Sequence, residues 1–178
     1  MNVRQAKLSQ GLSELVLPEG LEIVSLDGHS FSHVGVKTAD NVCFIGDALT
    51  CAEVLKKPYC PPLFDVARTL ETLDTLENMQ DVKFIPAHEP MPDDYAETIA
   101  LNRKATLETI DMIREFCAEP VSVEMLTKKL YARLGMTANL VNFVLTQNTI
   151  KAYLTYLHRR NEVEYYFADG MMLWKIKK

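Results

Sequence analysis

The sequence predicts an α/β layer followed by a smaller α+β domain. Three short β-type runs crowd the region after residue 20, a helical stretch and one more strand follow, and beyond Pro120 the pattern turns to helices that close on a single hairpin.

Each element has its own signal. The segment to about Leu17 is polar with scattered leucines and reads as a weak helix or an arm, and Pro18-Glu19-Gly20 ends it in a turn. Leu21 to Leu26 reads as a strand. Val34 to Thr38 and Val42 to Ile45, joined by Ala39-Asp40-Asn41, read as a hairpin. Phe64 to Glu77 places Phe64, Ala67, Leu70, Leu73 and Leu76 near helical spacing, and Val82 to Pro86 restarts a strand. Pro90 and Pro92 close this layer, and Asp93-Asp94 can cap a long helix from Tyr95 to Cys117 that buries Ile99, Ile110, Ile113 and Phe116. Ser122 then opens a helix carrying Met125, Leu126, Leu130 and Leu134, which Gly135 ends. Two more helical stretches are expected over about 137–145 and 148–161, the latter with Ile150, Tyr153, Leu154 and Leu157 on one face. Asp169-Gly170 between two aliphatic and aromatic runs marks a hairpin, whose Tyr165, Tyr166, Phe167 and Trp174 are read as core. Three helices and a hairpin outline a winged helix, so the expected domains are 1–94 and 95–178, with the long helix as connector.

Composition narrows the function classes. The 178 residues are 48% hydrophobic and 24% charged, as in globular chains. A net charge of -5 argues against a chain built as a whole to grip nucleic acid or anionic lipid, although residues 150–178 hold 6 basic and 3 acidic side chains. Cys43, Cys51, Cys60 and Cys117 form no CxxC pair, and the start has no signal-peptide stretch, so free thiols in the cytoplasm are expected. No apolar run is long enough to cross a bilayer, and no membrane partner is expected.

The chemistry-bearing residues sit just past apolar runs. His29 follows the first strand in Gly28-His29-Ser30, Asp47 ends Phe44-Ile-Gly-Asp, and His88 ends Phe84-Ile-Pro-Ala-His. One such residue is ordinarily a turn or surface residue. Three of them in this order suggest a site, because strand ends deliver side chains to one place while the core stays dry, and two imidazoles with a carboxylate suit zinc or iron.

The words GHSFSH, FIGDAL and IPAH, spread over about residues 20 to 92, resemble the second half of the metallo-β-lactamase superfamily. The resemblance implies half of an αββα sandwich, with His29 as a ligand of a first metal, His88 of a second, and Asp47 as the carboxylate bridging both. It also implies hydrolysis by metal-activated water, which Asp47 would orient as the catalytic carboxylate. His33, the second His of the first word, is similar to a residue that packs behind the ligands. Two zinc ions are implied for the complete site, with iron or manganese as alternatives.

The family's HxHxDH front half does not occur in this sequence. Each metal would then keep one His and the shared Asp47, where zinc sites use three or four protein donors. The expectation is a truncated chain with weak or absent metal, inactive alone, completed by a missing front half or by self-association. The strands holding Ile23, Val36 and Phe44 should present an apolar face that lacks the family's second sheet and is covered by the arm 1–17 or by another copy. Small-molecule esters or thioesters are compatible substrates, and phosphodiesters and lactones stay open.

The C-terminal stretch resembles the winged helix appended to the lactamase-like protein 2 group of this superfamily, on Leu126-Thr-Lys-Lys-Leu-Tyr131, the helix over about 149–160 and the hairpin with Trp174. In such a module Lys151, Arg159, Arg160, Lys175 and Lys177 could touch phosphates. The competing function is therefore a nucleic-acid- or protein-binding winged helix with a vestigial metal site. A solvated basic face on a packing domain is the simpler account of the same residues.

Overall fold

The computed structural model describes residues 16–88 and 94–177. The expected arm, apart from its last two residues, and the stop at Pro90, Pro92 and Asp93 lie outside the described residues. Four strands, β1 (Leu21–Ser25), β2 (Val34–Thr38), β3 (Val42–Gly46) and β4 (Lys83–Pro86), form a sheet in the order β1-β2-β3-β4. β1 with β2 and β2 with β3 are antiparallel, whereas β3 with β4 is parallel. β1, β3 and β4 therefore run in one direction, and the chain leaves all three at the same edge of the sheet.

Alternation divides the strands into two faces. Cys43, Ile45 and Phe84, with Leu26 just past β1, are buried against Leu73, Leu76 and Ile99. The opposite face carries a row across all four strands, Ile23 paired with Val36, Val36 with Phe44 and Phe44 with Ile85. Phe44 is 50% exposed at the centre of that row. Alternation thus puts apolar side chains on a face that no described helix packs against as it does the other.

A single helical turn, α1 (Ala52–Leu55), follows β3 and was not expected from the sequence. The next helix, α2 (Val66–Asn78), begins two residues later than the apolar spacing suggests. Asp65 is its N-cap and accepts from the Arg68 amide at 3.1 Å, so Phe64 falls before the helix and is half-exposed instead of joining the buried stripe. Val66, Leu73 and Leu76 form that stripe.

Helix α3 (Tyr95–Phe116) is capped by Asp94, whose carboxylate accepts from the Glu97 amide at 3.0 Å. The four expected residues are buried, and they divide between two clusters: Ile99 faces the sheet, while Ile110, Ile113 and Phe116 join the C-terminal helices. Helix α4 (Val123–Leu134) runs from Ser122, which accepts from the Met125 amide at 3.3 Å, to Gly135 in the left-handed conformation at φ 69°.

Where two further helices were expected there is one, α5 (Leu140–Arg159). The gap left between the two expected stretches, Thr146-Gln147, holds neither Gly nor Pro and is helical, and the Thr149 hydroxyl donates to the Leu145 carbonyl across it at 3.1 Å. Asn139 caps it, accepting from the Asn142 amide at 2.9 Å. Strands β5 (Val163–Ala168) and β6 (Met171–Ile176) then pair as a hairpin, and an extra bridge joins Val121 to Trp174. The aromatic core expected there is only partly formed. Trp174 is buried, but Tyr165, Tyr166 and Phe167 are exposed, because the base of the hairpin rests on the helices and its tip runs beyond them.

Candidate metal centre

The common strand edge brings three of the predicted residues together. The loop after β1 lies directly on the start of α2: the Gly28 carbonyl accepts from the Phe64 and Asp65 amides at 2.7 and 3.1 Å. Gly28 has φ 132°, and a Cβ there would stand 2.4 Å from Thr69 Oγ1, so any side chain would push the loop off the helix. Next to it, His29 Nδ1 lies 3.1 Å from the Pro62 carbonyl. A carbonyl can only accept, so Nδ1 carries the proton, and in the neutral ring Nε2 is left with its lone pair. Nε2 faces Asp47 Oδ2 at 3.6 Å.

Asp47 directly follows β3. Its other oxygen, Oδ1, faces His88 Nε2 at 3.8 Å. His88 is two residues past β4, where the Ala87 amide extends the pairing by donating to the Gly46 carbonyl at 3.0 Å. His29 is 32% exposed and His88 79%, so one side of the pair is embedded and the other faces outward.

His33 packs behind them. Its ring meets the His29 ring edge-on with centroids 5.9 Å apart. A Cβ on Gly46, where φ is 55°, would lie 2.5 Å from His33 Nε2. This residue therefore touches the backbone before Asp47 and the side of His29. Burial, reinforced by the neighbouring His29, pushes its pKa below the ordinary 6.5 and favours the uncharged ring.

Two contributors could not be found in the sequence. One is the Pro62 carbonyl, a backbone atom that carries no residue-type signal. The other is Asn102 on α3, buried, which accepts from the Thr50 amide at 3.0 Å and donates to the Thr50 carbonyl at 2.7 Å and the Thr98 carbonyl at 2.8 Å. It ties the segment after Asp47 to the long helix. A polar residue within an apolar helical stripe is the one trace of it that the sequence offers.

The donor set suits a metal ion in kind and falls short in number. Two donors each about 2.1 Å from one zinc lie roughly 3.4 Å apart at the tetrahedral angle. The observed 3.6 and 3.8 Å are close to that span and too long for hydrogen bonds. Each ion would nevertheless have one imidazole and one oxygen. Among the described residues no group of three or more His, Cys, Asp or Glu is placed to hold a metal ion.

The basic residues of the C-terminal region are mostly engaged. Arg159 faces Asp65 at 3.6 Å, Arg160 binds Glu162 at 2.7 Å, Lys175 faces Glu164 at 3.2 Å, and Lys177 donates to Asn161 at 3.0 Å. Lys151 is exposed on α5. The four cysteines are buried and unbridged, with burial raising the Cys60 thiol to about 12 and Cys117 to about 11. Among the described residues no helix is long and apolar enough to cross a membrane.

No family model and no curated protein matches the sequence. Solved structures do match. A β-lactamase domain protein from Burkholderia ambifaria superposes with a TM-score of 0.76 at 20% identity, over 90% of this chain and 51% of its own. A metallo-β-lactamase family protein from Thermus thermophilus does so with a TM-score of 0.73 at 16% identity, over 97% of this chain and 55% of its own. The chain shares its fold with metallo-β-lactamase family proteins. It spans about half the length of the solved structures it matches. Coverage of 97% takes in helices α4 and α5 as well as the sheet, so the shared fold extends over both regions.

Proposed function

We propose that the chain is the C-terminal half of a metal-dependent hydrolase of the metallo-β-lactamase superfamily, and that its last 84 residues or so, 95–178, are a winged-helix appendage of the kind found in the lactamase-like protein 2 group. One observation carries the reading: in a chain with this fold, Asp47 turns one carboxylate oxygen to each of two imidazoles at a single strand edge. With metal bound, Asp47, His29 and His88 would be this chain's ligands, Asp47 shared between the two histidines, and further donors would have to come from a front half covering the Phe44 face. The chemistry that zinc, or iron or manganese in its place, would supply there is a water acidified towards a pKa of ~7 and polarisation of a scissile carbonyl or phosphoryl oxygen. The residues of this chain position that chemistry. Pro62 fixes the His29 tautomer, His33 and Gly46 set the approach of Asp47, and Asn102 holds the segment that follows it. Ester or thioester substrates and a cytoplasmic compartment, where the four thiols stay reduced, belong to the same reading. The nucleic-acid alternative gains little from the basic side chains, since Arg160, Lys175 and Lys177 are engaged with neighbouring residues.

Titration with zinc, followed on the imidazole NMR signals of His29 and His88, tests the assignment. Both sets should move together with weak affinity, and Asp47→Asn should abolish both responses at once because the carboxylate is shared. Separate, independent responses of the two histidines that survive Asp47→Asn would remove the bridging role and the proposal with it. Two tightly held zinc equivalents in chelator-treated protein would contradict the two-donor count.

A further inference from the structure

We propose that the cavity between the His29 loop and the second half of α5 binds a planar aromatic ring carrying one anionic group. The cavity encloses about 400 Å³, within the range of small-molecule sites, and lies where the sheet region meets the C-terminal helices. Nothing in this proposal depends on the metal chemistry above.

The walls are aromatic. Phe31, on the loop that carries His29, is 79% exposed, and Phe64, just before α2, is 49% exposed. Their ring centroids are 5.8 Å apart at 56°, so each is held by the other and not by a core. Two phenylalanines inclined in this way form an exposed apolar corner, and an aromatic ring set against it stacks on one and meets the edge of the other, removing apolar surface from water. Tyr156 of α5 lines the same cavity, with the Arg160 guanidinium 5.4 Å from its ring centroid.

The charges at the mouth select the ligand. Arg160 is committed to Glu162 through Nε at 2.7 Å. Arg159 is not held so firmly: Asp65 Oδ2 stands 3.6 Å away, while Oδ1 of the same carboxylate caps α2. A ligand carboxylate or sulfonate reaching hydrogen-bond distance makes a better partner for Arg159 than that contact does. Asp65 stays compensated by the N-terminus of α2 when Arg159 turns away. Arg159 and Arg160 against Asp65 and Glu162 sum to zero, so the one charge a ligand can meet is that of Arg159 once Asp65 is left to the α2 N-terminus, which favours a monoanion over a polyphosphate.

The full chain titrated with 2-naphthoate and 2-naphthalenesulfonate, read by amide NMR shifts, tests the site. Both ring anions should bind at least tenfold more tightly than 2-naphthol, which lacks the charge, or acetate, which lacks the ring. Phe31→Ala and Arg159→Gln alter exposed side chains outside both clusters, and each should weaken binding roughly tenfold. Phe44→Ser, on the open sheet face, should leave the affinity unchanged. No binding at millimolar ligand, equal binding of 2-naphthol, or a loss that follows Phe44→Ser and not Phe31→Ala overturns the proposal.

Discussion

The sheet region and the C-terminal helices of this chain bury apolar surface in different ways. Around α5 the helices close on themselves: Leu126, Leu130, Ile150, Leu154 and Leu157 have no solvent-exposed area, and Cys60, Leu63 and Val66 from the earlier part of the chain join them. The sheet buries one face in the same manner, through Leu26, Cys43, Ile45 and Phe84, but sets Phe44 half-exposed on the other. The difference separates stability from recognition. The closed cluster covers its own apolar surface, whereas a one-sided sheet marks where another surface belongs.

Substitutions sharpen that contrast, and the largest effect belongs to the closed cluster. Leu154→Ala should lower unfolding free energy by about 3 kcal/mol in urea titrations, the usual cost of emptying a well-packed leucine site. A cost near zero would mean that the helical cluster is not the stabilising half.

Asn102→Leu comes next, at about 2 kcal/mol, since the Thr50 amide and carbonyl lose their partners within the fold. Hydrogen exchange should accelerate at Thr50 while α4 stays protected. Equal acceleration in both places would show that Asn102 serves general packing and not the segment after Asp47.

Gly46→Ala should cost about 2 kcal/mol, from the φ of 55° and the clash with His33 together. In a His33→Ala background the clash disappears and about 1 kcal/mol should remain. A coupling of zero in that double-mutant cycle would separate His33 from the Asp47 backbone.

A smaller effect is expected from Glu162, which accepts from Arg160 and from Arg114 at 2.7 Å. The Arg160 hydrogen bond is the largest cause holding its pKa below the ordinary 4.5, with burial opposing and Arg114 assisting. A carboxylate with a lowered folded pKa stabilises above the unfolded value and loses that contribution as pH falls through the folded one. Glu162→Gln should therefore cost less than about 1 kcal/mol at pH 7 and flatten the stability profile below pH ~4.5. The smallest effect on stability, under about 0.5 kcal/mol, should come from Phe44→Ser on the open face. Its effect should appear instead as reduced self-association in sedimentation.

How far the sequence discloses these features depends on the physics of each. The strands and the hairpin turns announce themselves by alternation and by Asp-Gly or Asn positions, and Asp94, Ser122 and Gly135 bound their helices as their chemistry dictates. Helix α5 is read as two stretches because Thr146 and Gln147 interrupt the apolar spacing, although neither residue breaks a helix. His29, Asp47 and His88 could be picked out since each follows an apolar strand. Their meeting depends on β1, β3 and β4 sharing a direction, which no local pattern encodes. Phe31 and Arg159, far apart in sequence, border one cavity only because the loop after β1 packs near α5.

Helix α3 has a mechanical consequence. At 22 residues it is about 33 Å long, and it inserts Ile99 into one cluster and Ile110, Ile113 and Phe116 into the other. It acts as a single stiff beam shared by two floors. Neither cluster is complete without its share of this helix, so heat or denaturant should melt both regions in a single transition rather than releasing them one at a time.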